Sequence, residues 1–129
     1  MSLSLIWKDD LTFTSGPDGP PIELASSTPG VPSPMHALAY AVMGCMAMDI
    51  VHILQKGRHD LRGLTVSFDG DRATEQPKRY TSMRLHFDVT GAVTDEVVAR
   101  AIQLSHDKYC SVFATLDPAL DFRTSVTIR

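Results

Sequence analysis

The chain is poor in cysteine, with two among 129 residues. That number excludes a disulfide scaffold, which a domain of this length does not need in order to bury a core. Basic residues are not in excess: twelve Lys and Arg stand against fifteen Asp and Glu, a net charge of -3. No broad positive field is available for a phosphate backbone, so nucleic acid is not an expected partner. The N-terminal M-S-L-S-L-I-W-K-D-D lacks a basic segment followed by a long apolar run, so no secretory signal is expected and the cytoplasm is the default location. Long hydrophobic runs are also missing. The best candidate, Ala37 to Met48, has 12 residues and is followed by Asp49 and His52, whereas a membrane span needs about 20. It reads as a buried helix, and no membrane partner is expected. Gly16, Gly19 and Gly30 are too far apart, and too close to prolines, to form a phosphate-cradling loop.

The remaining composition, 43% apolar and 21% charged, is that of an ordinary globular domain, expected as one unit over 1–129. Short β-prone runs around Leu3 to Trp7 and Leu11 to Thr14, with alternation at Ile22 and Leu24 beyond a Gly-Pro-Asp-Gly-Pro-Pro cluster, predict a small meander. Ser33 can cap a helix that opens at Pro34 and continues to Lys56, with Gly57 as its stop signal. Apolar residues fall on nearly every side of that helix, so it must be covered all round. A 129-residue monomer has too little other structure to do this, which predicts an obligate homodimer. Tyr40, Met43, Met46 and Met48 are read as core or dimer interface, and Trp7 as a packing residue.

Alternation from Leu61 to Asp69 and from Tyr80 to Val89 predicts two strands with one buried face, joined by an exposed loop rich in charge. Thr94 caps a second helix, with Asp95 and Glu96 in its first turn, expected to end near Asp107. A short element from Cys110 to Leu116 and a strand from Phe122 to Arg129 close the chain. The order is α+β with mostly antiparallel sheet.

Two thiols carry the chemistry worth weighing. Cys45 lies mid-helix beside Gly44 in the most apolar part of the chain, where cysteine is often no more than a small core residue. Cys110 lies where one helix ends and another element begins, near Lys108, and both features favour the thiolate. The pair is a redox pair only if the fold brings it together. A rival grouping uses Cys45, Asp49 and His52 along one helical face with His106 and Cys110 as zinc donors, a permissive but common spacing.

The segment S-P-M-H-A-L-A-Y-A-V-M-G-C-M-A-M-D-I-V, Ser33 to Val51, resembles the first cysteine helix of the OsmC/Ohr family, the osmotically inducible and organic hydroperoxide resistance proteins. Its proline lies eleven positions before the cysteine, and H-D-K-Y-C-S-V, 65 positions on, is similar to the family's second cysteine segment. The resemblance implies an intertwined homodimer, with antiparallel sheets wrapped around long central helices and two active sites at the subunit interface. It implies that Cys45 attacks an organic or lipid hydroperoxide in oxidative stress defence and that Cys110 resolves the sulfenic acid to a disulfide. An external dithiol then reopens that disulfide, with no bound cofactor and no metal. A non-catalytic member would instead bind a hydrophobic small molecule at the interface.

True Ohr enzymes carry a glutamate after the helix-opening proline and an arginine in the N-terminal strands. Here Met35 follows Pro34, and the first arginine is Arg58. The resemblance is thus to an OsmC-like branch, with Lys8, His36, Lys108 or an arginine of a second copy left as sources of activating charge.

Overall fold

The computed structural model describes residues 1–129, which divide into two units, 1–40 and 41–129. In the first, β1 (Leu5–Asp9), β2 (Thr12–Ser15) and β3 (Glu23–Ala25) form an antiparallel sheet in sequential order. The expected meander is present. Its first strand is exposed throughout, so Trp7, with 66% of its surface accessible, is no packing residue within this chain. Its indole Nε1 donates to the Asp10 carbonyl at 2.7 Å.

Helix α1 (Pro34–Lys56) begins in the first unit and continues in the second. Ser33 caps it as expected, and the cap is reciprocal: the His36 N–H donates to Ser33 Oγ, while the Ser33 N–H donates to His36 Nδ1, both at 3.1 Å. His36 therefore plays the part usually taken by Glu or Gln in a capping box.

At the other end, the Arg58 N–H donates to the Gln55 carbonyl at 2.9 Å and the His59 N–H to the Leu54 carbonyl at 3.0 Å. This is a Schellman closure, and the residue with positive φ is Arg58, at 60°, not Gly57. A side chain in that conformation is strained by about 1 kcal/mol or more. Arg58→Gly should stabilise the protein by about 0.5–1 kcal/mol, because glycine's extra unfolded-state freedom offsets part of the relief. Urea titration of the two proteins measures the difference.

In the second unit, β4 (Asp60–Arg72), β5 (Tyr80–Ala92) and β6 (Asp121–Ile128) form a sheet in the order β4-β5-β6. The β4–β5 pair is antiparallel, but β5 and β6 run parallel. The sheet is mostly antiparallel as expected, with three of the four strand pairings antiparallel, and the β5–β6 edge is the exception. Residues 93–120, including α2 (Asp95–Leu104), form a crossover, and a crossover returns the chain in the same direction.

Alternation gives this sheet two unlike faces. Met83, Leu85, Phe87 and Val89 of β5 are buried, and they join Val42, Met46, Ile50 and Leu54 of α1 and Val98, Ala101 and Ile102 of α2 in one core. The polar face carries Arg84 on Asp69 and Asp71, His86 between Ser125 and Thr127, and Arg129 on Asp88. The buried stripe of α1 recurs every fourth residue. Off that stripe, Tyr40 and Met48 stay exposed, so this chain alone does not cover the helix all round.

Candidate active site around Cys45, Asp49 and Cys110

Thr94 caps α2 as expected, its Oγ1 accepting from the Val97 N–H at 3.3 Å. The helix does not simply stop near Asp107. After Leu104 it widens into a π-helical turn, Ser105–Tyr109, closed by the Cys110 N–H donating to the Ser105 carbonyl at 2.8 Å. Such widened turns occur often at functional sites. This one delivers Cys110 to the start of a short helix, α3 (Ser111–Thr115), where its Sγ accepts from the Phe113 N–H at 3.3 Å.

Cys110 is buried and Cys45 half-buried, and both are free thiols. The two sulfurs and a carboxylate oxygen of Asp49 all lie within 4.8 Å of one another. The fold therefore brings together two cysteines 65 positions apart. Asp49 sits one helical turn beyond Cys45, and its Oδ2 accepts from Ser105 Oγ at 2.8 Å. Ser105 has no accessible surface. It was not visible as a functional residue in the sequence: a serine before a histidine is ordinary, and only the widened turn points it inward.

The zinc grouping assembles only in part: Cys45, Asp49 and Cys110 come together, and the two histidines do not join them. His106 stacks on Phe113, with ring centroids 4.3 Å apart, and bonds Asp107; neither it nor His52 joins Cys45, Asp49 and Cys110. No fourth histidine, cysteine or carboxylate completes the four-donor set of a structural zinc site. Of the residues considered as sources of charge, Lys8 pairs with Glu23 at 3.4 Å, His36 caps α1 and Lys108 lies over the Tyr109 ring. A charged group that does lie within 4.8 Å of both sulfurs is the Asp49 carboxylate.

That setting corrects the expectation that Cys110 favours the thiolate. Burial, first, and a thiol hydrogen bond with Cys45, second, push the Cys110 thiol up to about 11. The Phe113 N–H opposes this, and the negative charge of Asp49 adds to it. Because the usual value is 9.0, the folded protein keeps a proton that the unfolded chain has lost above that pH. The stabilisation is complete below pH 9 and is lost as pH rises through about 11, on the order of 2 kcal/mol. The urea midpoint of reduced protein should fall across that interval, and Cys110→Ser should remove that part of the fall.

Residues 27–125 match the family of OsmC-like proteins. The chain belongs to that family. This OsmC-like chain is 39% identical over 131 residues to the protein YhfA of Escherichia coli K12, covering 99% of this chain and 98% of the other. It is similar to a hypothetical protein from Aquifex aeolicus VF5, with 26% identity, a TM-score of 0.90 and coverage of 99% and 95% of the two chains. An organic hydroperoxide resistance protein OsmC from Legionella pneumophila shares the fold, at 16% identity and a TM-score of 0.74 over 98% and 97%. The α+β architecture is thus that of OsmC-like proteins.

Proposed function

We propose that this OsmC-like protein is a thiol-dependent peroxidase that reduces organic or lipid hydroperoxides in oxidative stress defence. The observation that carries this reading is the placement of two reduced cysteine sulfurs within 4.8 Å of each other, on separate elements of one core. Cys45 is the more accessible thiol and takes the attacking role. Its sulfur attacks the outer oxygen of the peroxide, the O–O bond breaks, the alcohol leaves with a proton, and Cys45 becomes a sulfenic acid. Cys110 then attacks that sulfur, forming the Cys45–Cys110 disulfide and releasing water. An external dithiol returns both cysteines to thiols, so the cycle needs no bound cofactor.

The working form in this proposal is a cytoplasmic homodimer. Support comes from apolar surface that a monomer leaves open: Leu5, Ile6 and Trp7 on β1, and Tyr40 and Met48 on α1. Light scattering on the purified protein is expected to give twice the chain mass of 14.1 kDa.

The decisive test counts free thiols per chain before and seconds after one equivalent of cumene hydroperoxide. Both should disappear in the wild type and return with dihydrolipoamide. Thiols that persist for many minutes would overturn the peroxidase reading and favour a protein that binds a hydrophobic small molecule.

A further inference from the structure

We propose that Asp49 is the proton acceptor for disulfide closure, taking the Cys110 thiol proton as that sulfur attacks Cys45, and that Ser105 positions its carboxylate. The role in turnover rests on the peroxidase reading, but the closure chemistry belongs to the site itself and can be tested without peroxide.

Three observations converge. First, the carboxylate lies within 4.8 Å of both sulfurs, a separation that one water can bridge for proton transfer. Second, Ser105 holds both partners of that transfer: its hydroxyl bonds Asp49 at 2.8 Å and its carbonyl accepts the Cys110 N–H at 2.8 Å. A fully buried residue at a widened helical turn thus fixes the base against the thiol it would deprotonate. Third, Asp49 lines a cavity of about 450 Å³ shared with His52, Lys56, Leu104 and Tyr109, which leaves room beside the carboxylate for the water that closure releases.

The chemistry of Cys110 makes a base necessary. A thiol that titrates near 11 is almost wholly protonated at neutral pH, and only its thiolate is a competent nucleophile. A free Cys110 thiolate beside the Asp49 carboxylate would place two negative charges side by side in a half-buried site. Transfer of the proton to Asp49 as the S–S bond forms avoids that state. The electron pair of the Cys110 S–H bond becomes the nucleophile, the Cys45 S–O bond breaks, and the departing hydroxide takes the proton back from Asp49 as water. Cys110 is oxidised, the sulfenic sulfur of Cys45 is reduced, and Asp49 is regenerated. The titratable groups that face Asp49 are Cys45, His52 and Lys56 on α1, Tyr109 on the π-helical turn and Cys110 after it.

The test uses the reduced protein and the aromatic disulfide reagent DTNB. Its first thiolate product reports capture of Cys45, and the second reports closure by Cys110. In Asp49→Asn the first step should stay within about threefold of wild type, and the second should slow by about 100-fold or more, as loss of a positioned base requires. Closure in wild type should vary little between pH 7 and 9. In Asp49→Asn it should climb with hydroxide, because the free thiolate of Cys110 becomes the nucleophile. Asp49→Glu should recover part of the rate, and Ser105→Ala should lose part of it.

Equal closure rates in wild type and Asp49→Asn, or equal slowing of both steps, would overturn the assignment. Should closure depend on Asp49 while cumene hydroperoxide leaves the thiols untouched, the proton-acceptor role stands and the peroxidase reading falls.

Discussion

Cys110→Ser is expected to keep the first reaction with hydroperoxide and to lose most of its turnover. Cys45 attacks without help from Cys110, so one equivalent of cumene hydroperoxide should still remove one thiol and leave a sulfenic acid that dimedone traps. In the wild type the trap should capture little, because a sulfur within 4.8 Å closes the disulfide first. Without that neighbour the sulfenic acid persists, and excess peroxide carries it to the sulfinic acid, which a dithiol does not reduce. Steady consumption of peroxide with dihydrolipoamide should therefore be slow, limited to direct attack of the dithiol on the sulfenic acid, and should fade as sulfinic acid accumulates. Cys45→Ser should differ in kind: no thiol is lost and no adduct forms, because Cys110 is buried and protonated. Mass spectrometry of dimedone-treated protein separates the two variants. An unmodified Cys110→Ser protein with full turnover would remove Cys110 from the mechanism.

What could be read from the sequence depended on how local the signal was. Ser33 and Thr94 as caps, and the alternation of Leu64, Val66 and Phe68 against Leu85, Phe87 and Val89, are short-range patterns, and they gave the right elements. The parallel β5–β6 edge was hidden, because strand direction depends on the path of residues 93–120, not on the residues of β6. The end of α1 at Lys56, with Gly57 as its stop signal, was legible, but the left-handed residue that closes the helix is Arg58, which no residue preference announces.

The site divides along the same line. Both cysteines could be named from their motifs, whereas the reading of Cys110 as thiolate-prone rested on its helix start and Lys108. Burial reversed it, and burial is a property of the packed core. Ser105 was missed because its role comes from a wide turn that its own residue type does not announce. Asp49 was visible one turn after Cys45, but its partner, 56 positions away, was not.

The second large effect concerns the core that carries both thiols. Phe87→Ala is expected to destabilise the protein by about 3–5 kcal/mol, the range for deleting a fully buried aromatic side chain. Phe87 has no accessible surface and lies on the central strand of its sheet, paired with Val66 on one side and Val126 on the other. Its ring belongs to the same core as Met46 and Ile50 of α1 and Ala101 and Ile102 of α2. Those two helices place Cys45 and lead into the turn before Cys110, so a cavity there loosens the mounts of both sulfurs at once. Against a typical total of about 5–15 kcal/mol, the loss is a large fraction of the folding free energy. At a urea slope of about 2 kcal/mol per molar the midpoint should fall by about 1.5–2.5 M. Phe87→Leu keeps most of the volume and should cost about 1–1.5 kcal/mol. If the sulfur pair works through its fixed separation, DTNB closure under folding conditions should slow in Phe87→Ala more than in Phe87→Leu, while capture of Cys45 is spared. A fall in stability with unchanged closure would mean that α1 and the π-helical turn hold the two sulfurs in register without the central strand.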